Sequence, residues 1–205
     1  AGVRRHAAAS LGTVAAGDHV TALADAILTH PDDTVLRSTV LAASPGAELP
    51  LLEELVWNDR WDRATPPAMA TLRLIARTVQ ERNDPPDMLA LMELLASIPP
   101  DRDWATETIA LSIVDHHRLR SDRPRPIELH EAPFDWNDRL AESPDVAGGL
   151  LGLIDLHANW PGRPGHEIEL DTGHLPPEAV AMVEHGATLY VHCMGCHQAD
   201  GRGLR

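Results

Sequence analysis

Apolar residues recur at every third and fourth position through most of the first 120 residues, the period of one face of an α-helix. In "DHVTALADAILTHPDD" the residues Val20, Leu23, Ala24, Ile27 and Leu28 share such a face. Asp18 is the expected cap, and Pro31 follows the end. "DDTVLRSTVLAAS" places Val35, Leu36, Val40 and Leu41 on a second stripe, with Asp32 as the expected cap. "AELPLLEELVW" gives a third stripe through Leu51, Leu52, Leu55 and Val56. "TPPAMATLRLIARTVQER" opens with Thr65 at the N-cap and Pro66 at the first helical position, where the missing N–H costs nothing. "PPDMLALMELLASI" and "DRDWATETIALSIVDHHRLR" complete six predicted helices.

The links between these helices are short, so sequential helices should be antiparallel neighbours. The pattern predicts an all-α fold, a HEAT-like α-solenoid of stacked helix pairs over residues 1–120 or, with the same stripes, a helical bundle.

After residue 120 the period fades. "SDRPRPIELHEAPFDW" is rich in Pro and charge. "GGLLGLIDLHANWPGRPG" holds one short apolar run, Leu150 to Leu156, before Gly/Pro turns. Residues 121–176 therefore read as a Pro/Gly-rich extended linker, with Trp160 anchoring its loop on a neighbouring surface. At Pro177 a new helix is predicted, with Pro177 and Glu178 in its first turn and Ala179, Met182 and Val183 on its apolar side.

Composition changes this picture in three ways. The chain has 205 residues, is 43% hydrophobic and only 3% aromatic, so its core is aliphatic. The net charge is −14 and no basic run occurs, which argues against nucleic acid as a partner. All 17 basic residues are Arg, which we read as base-composition bias. No stretch of 18 apolar residues offers a membrane span. The opening "AGVRRHAAASLG" has neither an initiator Met nor a signal-peptide pattern, and it reads as the middle of a helical repeat in a longer protein.

Both cysteines fall in "LYVHCMGCHQADGRG". Cys193, Cys196 and His197 form Cys-x-x-Cys-His, the pattern that attaches c-type haem. Two thiols can add across the two haem vinyl groups as thioethers. Two intervening residues let one helical turn present both sulfurs to one porphyrin edge, and the adjacent His reaches the iron as proximal ligand. With two Cys and twelve His in the chain, chance would give this arrangement roughly once in a thousand such sequences.

Rival readings remain open at this stage. A structural zinc site needs four ligands, and only His185 and His192 lie near. A thioredoxin-like redox pair would follow a strand, for which "ATLYVH" could serve, but "QADGRG" is too glycine-rich to continue its helix. His116 and His117, near a helix end, read as a solvated cap favoured by the dipole. His157, His166 and His174 read as surface loop histidines. No paired catalytic carboxylates stand out, and the segment reads as an electron-transfer module without a catalytic site of its own, with its part in a larger oxidoreductase left open.

"GATLYVHCMGCHQADGRG" resembles the start of a class I cytochrome c domain, through Gly186, Tyr190, the Cys-x-x-Cys-His motif and the Gly201/Gly203 loop. The resemblance implies one covalent haem c on Cys193 and Cys196, with His197 as the proximal iron ligand. It also implies that residues 177–205 begin a cytochrome domain whose distal ligand lies beyond Arg205. Helical repeats followed by "NWPGRPG" and a terminal cytochrome resemble large secreted bacterial fusions of a quinoprotein dehydrogenase and a cytochrome c. That likeness implies a periplasmic or secreted electron-transfer module and a redox partner or upstream dehydrogenase domain. The alternative is a helical-repeat interaction scaffold with an incidental Cys-x-x-Cys metal or disulfide site.

Overall fold

A computed structural model describes residues 19–82, 84–121, 123–142, 146–161, 163, 175–177, 179–183 and 185–186. The chain is mainly helical. In order come α1 (Val20–Thr29), α2 (Thr34–Ala42), α3 (Glu48–Val56), α4 (Pro66–Arg82), α5 (Pro85–Ser97) and α6 (Asp103–His116). Then follow β1 (Ile127–Glu128), α7 (Trp136–Glu142), α8 (Val146–His157) and β2 (Ala158–Asn159). Short 3-10 turns at Asp59–Trp61 and Pro100–Arg102 precede α4 and α6.

Local chemistry sets the helix ends. Thr65 Oγ1 accepts from Ala68 N at 3.3 Å, and α4 begins at Pro66, as the sequence predicts. At α2 the cap is Asp33, not Asp32: its carboxylate accepts from Leu36 N at 2.9 Å. Asp18 lies outside the described residues. Between α2 and α3, Gly46 takes φ +83°, a left-handed value that suits glycine, and donates its N–H to Glu48 Oε2 at 2.8 Å. Helix α6 stops in a Schellman motif. Leu119 N donates to Val114 O at 3.0 Å and Arg118 N to Asp115 O at 3.3 Å, with Arg118 left-handed at φ 54° and Leu119 buried beneath.

Odd and even helices sort into two rows. α1 packs on α3, α3 on α5 and α5 on α7; α4 packs on α6 and α6 on α8. α2 joins the even row through Arg37, whose Nη1 donates to Pro67 O at 3.1 Å and Thr71 Oγ1 at 3.2 Å on α4. Consecutive helices close the rows on each other, as α1 on α2, α3 on α4, α4 on α5 and α7 on α8. The apolar stripes meet between the rows in one continuous cluster from Leu23 to Ala158, with Leu52, Leu72, Leu95, Ile113 and Leu151 fully buried. Val35 departs from its predicted stripe and is 49% exposed, while Leu36 and Val40 are buried.

Polar ties cross the same interfaces. Gln80 Nε2 on α4 donates to Ser112 Oγ on α6 at 3.2 Å, and Ser112 Oγ donates to Arg73 O at 3.3 Å. Arg102 donates to Val56 O and, at 3.1 Å, to Asp59 Oδ1, placing a cation at the carbonyl end of α3.

The expected linker is corrected over part of its length. α7 and α8 lie within residues 121–176, and Trp136, Leu150, Leu151 and Ile154 enter the same core. The reason is a return of the chain. β1 pairs in parallel with β2, Ile127 opposite Ala158, and Leu129 N donates to Asn159 O at 2.8 Å. That clip holds the Pro-rich stretch against the end of α8, so the helical packing runs past residue 120.

Candidate functional site

Cys193, Cys196 and His197 lie outside the described residues, as do His166, His174, Tyr190 and His192. The approach to them begins as predicted: Pro177, residues 179–183 and residues 185–186 are helical, and Val180 N donates to Pro176 O at 3.1 Å. Met182 on this helix is 76% exposed, so the described structure puts no core against it. The donor set in the sequence suits haem: two thiols with two residues between them and an imidazole directly after the second. Among the described residues, no group of three or more His, Cys, Asp or Glu is placed to hold a metal ion. No helix among them is long and apolar enough to cross a membrane.

His117 overturns the expectation of a solvated cap. It is 4% exposed, and its ring nitrogens make no well-formed hydrogen bond; the backbone at Arg125 and Pro126 offers only weak partners that partly offset the effect of burial. The cause is the Schellman turn and the chain that follows it. After the left-handed Arg118, the backbone returns and Arg125 N donates to His117 O at 2.7 Å, closing over the ring. Burial, with the charge of His116 in edge contact at 5.1 Å, lowers the His117 pKa from 6.5 to about 4. His116, half-buried, is lowered in the same sense, first by burial. His157 ends α8, not a loop, and burial lowers its pKa too.

A carboxylate hub at the α7–α8 end has no local sequence signature. Asp155 Oδ1 accepts from the buried Trp136 indole at 2.9 Å, and Asp155 Oδ2 accepts from Arg163 Nη2 at 2.7 Å. Arg163 also donates to Asp155 O and Ala158 O at the carbonyl end of α8, and its guanidinium stacks 4.5 Å over Trp160. Trp160 packs half-buried on the core, as expected of an anchor. These groups satisfy one another, so the hub is structural.

Two accessible depressions lie on the odd row. One depression of about 570 Å³ runs between α3 and α5 and is closed by the turn before α7; Leu49, Glu53, Glu93, Phe134 and Asp135 line it. A second, of about 480 Å³, lies between α1 and α3, lined by Val20, Pro50, Glu53, Glu54 and Trp57. Glu53 belongs to both. The chain's single Phe is 73% exposed here, held by Phe134 N donating to Glu93 Oε1 at 3.3 Å. A lone Phe inside a polar, Pro-rich stretch does not by itself mark this surface in the sequence.

No family model matches the chain, and neither a curated protein nor a solved structure matches it.

Proposed function

We propose that the chain is an electron-transfer segment that holds one c-type haem, on an α-solenoid of stacked helix pairs. The observation that carries the haem reading is Cys193-x-x-Cys196-His197, after a helix that starts at Pro177. In this reading Cys193 and Cys196 tether the cofactor, and His197 supplies the proximal imidazole. The haem contributes one-electron exchange at iron, and the protein sets its position and potential. Thioether attachment places the protein in the periplasm or outside the cell. The electrons pass to a redox partner or come from an upstream dehydrogenase domain.

The solenoid reading is supported by the two-row packing, in which α1, α3, α5 and α7 pack in one row, α4, α6 and α8 in the other, and several consecutive helices meet across the rows. That packing favours a second reading, a helical scaffold that binds proteins and whose Cys pair is incidental. One experiment separates them. The full chain is expressed in a bacterial periplasm together with a haem-attachment system, denatured, and stained for haem. We expect covalent haem, lost in the Cys193→Ala/Cys196→Ala variant. Absence of haem from the unmodified chain, or its retention in the double variant, sinks the electron-transfer reading and leaves the scaffold.

A further inference from the structure

We propose that the paired depressions on α1, α3, α5 and the Phe134 turn form a docking groove for an Arg- or Lys-bearing amphipathic segment of a partner protein. The proposal does not depend on haem.

Three observations carry it. The first is continuity: the two depressions meet at Glu53 on α3, so a ligand crossing that helix engages both. The second is exposed apolar surface. Phe134 is 73% exposed and Trp57 42% exposed, in a chain with only seven aromatic residues. The Phe134 backbone N–H donates to Glu93, and Trp57 is the C-cap residue of α3. Aromatic side chains have few rotatable bonds and lose little entropy on binding, which makes them good anchors.

Charge is the third observation, and it chooses the occupant. Glu53, Glu54, Glu93 and Asp135 line the groove, and no Arg or His among the described residues lines either depression. None of these four carboxylates forms an ion pair with a described residue, so their charge is not offset by an Arg within the groove. Acidic groups left unpaired around apolar anchors complement a segment with cations on its rim and apolar side chains at its centre. The same charge repels anionic lipid headgroups and nucleic acid.

The test uses the full chain and a fluorescent synthetic peptide of about 18 residues, roughly five helical turns. Its one face carries Leu and Trp and the other Arg. A second peptide replaces every Arg by Glu, and a third keeps Arg but replaces the apolar face by Ser. Fluorescence anisotropy should show binding of the first peptide only, weakening as salt rises. Glu53→Arg and Phe134→Ser, both exposed positions, should each weaken it about tenfold. Glu81→Arg, on α4 in the other row, should leave it unchanged. The proposal is overturned if the first peptide does not bind, if the Glu or Ser peptide binds as well, or if Glu81→Arg weakens binding as much as Glu53→Arg. Sedimentation supplies the remaining outcome. A dimer of the free chain that Phe134→Ser dissolves would make a second copy the occupant and refute a basic partner.

Discussion

Trp136 donates its indole N–H to Asp155 across 2.9 Å, joining the start of α7 to the third turn of α8. The indole is buried, and the other carboxylate oxygen holds Arg163. Asp155→Ala strands a buried donor and releases the guanidinium at the end of α8. We expect a loss of about 1–3 kcal/mol, with Asp155→Asn losing less because it keeps an acceptor for Trp136. Urea unfolding checks this. An unchanged midpoint for Asp155→Ala would mean that the contact does not hold α7 to α8.

The His117 ring supplies a pH-dependent part of stability. Its folded pKa, about 4, lies below the ordinary 6.5, so between these values the unfolded chain binds the extra proton. The contribution is therefore complete above pH 6.5 and lost as pH falls from 6.5 towards 4, by at most about 3 kcal/mol. His117→Phe removes the titrating ring. The variant should match or exceed the wild type at pH 7, and its advantage should grow as pH falls through that window. Melting temperatures of the two proteins at pH 7, 6, 5 and 4 decide it. A difference that does not change with pH would remove His117 from the acid response.

Core and surface positions should separate sharply. Leu52 and Leu95 are fully buried in facing stripes, so truncating either to Ala leaves a cavity and costs about 2–5 kcal/mol. Glu81 makes an exposed pair with Arg77 at 2.8 Å, four residues apart on α4, and Glu81→Ala should cost under about 0.5 kcal/mol. Equal tolerance at all three positions would contradict the assigned helix faces.

The parts of this fold that could be read from sequence are those set by local rules. Helices α1 to α6 announce themselves by period, and Thr65-Pro66 marks an N-terminus because cap and first-turn proline act within one turn. α8 escaped notice because Gly148, Gly149 and Gly152 interrupt it, and its helix is sustained by burying Leu150, Leu151 and Ile154 on α6, a tertiary effect. The depth of His117 was equally hidden. It follows from a chain reversal that returns Arg125 to His117 O, and nothing near residue 117 in the sequence records it. The acidic groove is assembled from α1, α3, α5 and a turn some 80 residues downstream of α3, so no local pattern marks it. The Cys193-x-x-Cys196-His197 pattern is the reverse case: complete within five residues, it depends on no long-range contact to be recognised.

The end of α6 offers the last prediction. A helix that closes in a Schellman motif needs a left-handed residue at the position after its cap, and glycine is the usual occupant. Here that residue is Arg118, exposed, with φ 54°. A side chain in that conformation costs about 1–2 kcal/mol, while glycine pays for its freedom in the unfolded chain by somewhat less than that. Arg118→Gly should therefore stabilise the protein by about 0.5–1 kcal/mol, provided the bonds from Leu119 N to Val114 O and from Arg118 N to Asp115 O persist. Arg118→Ala serves as the control, since it removes the same side chain and keeps the Cβ that makes the conformation unfavourable. Chemical denaturation should rank Gly above both Ala and the wild type. If Ala gains as much as Gly, the benefit comes from losing the arginine side chain, and the left-handed turn after His117 is not the source of strain.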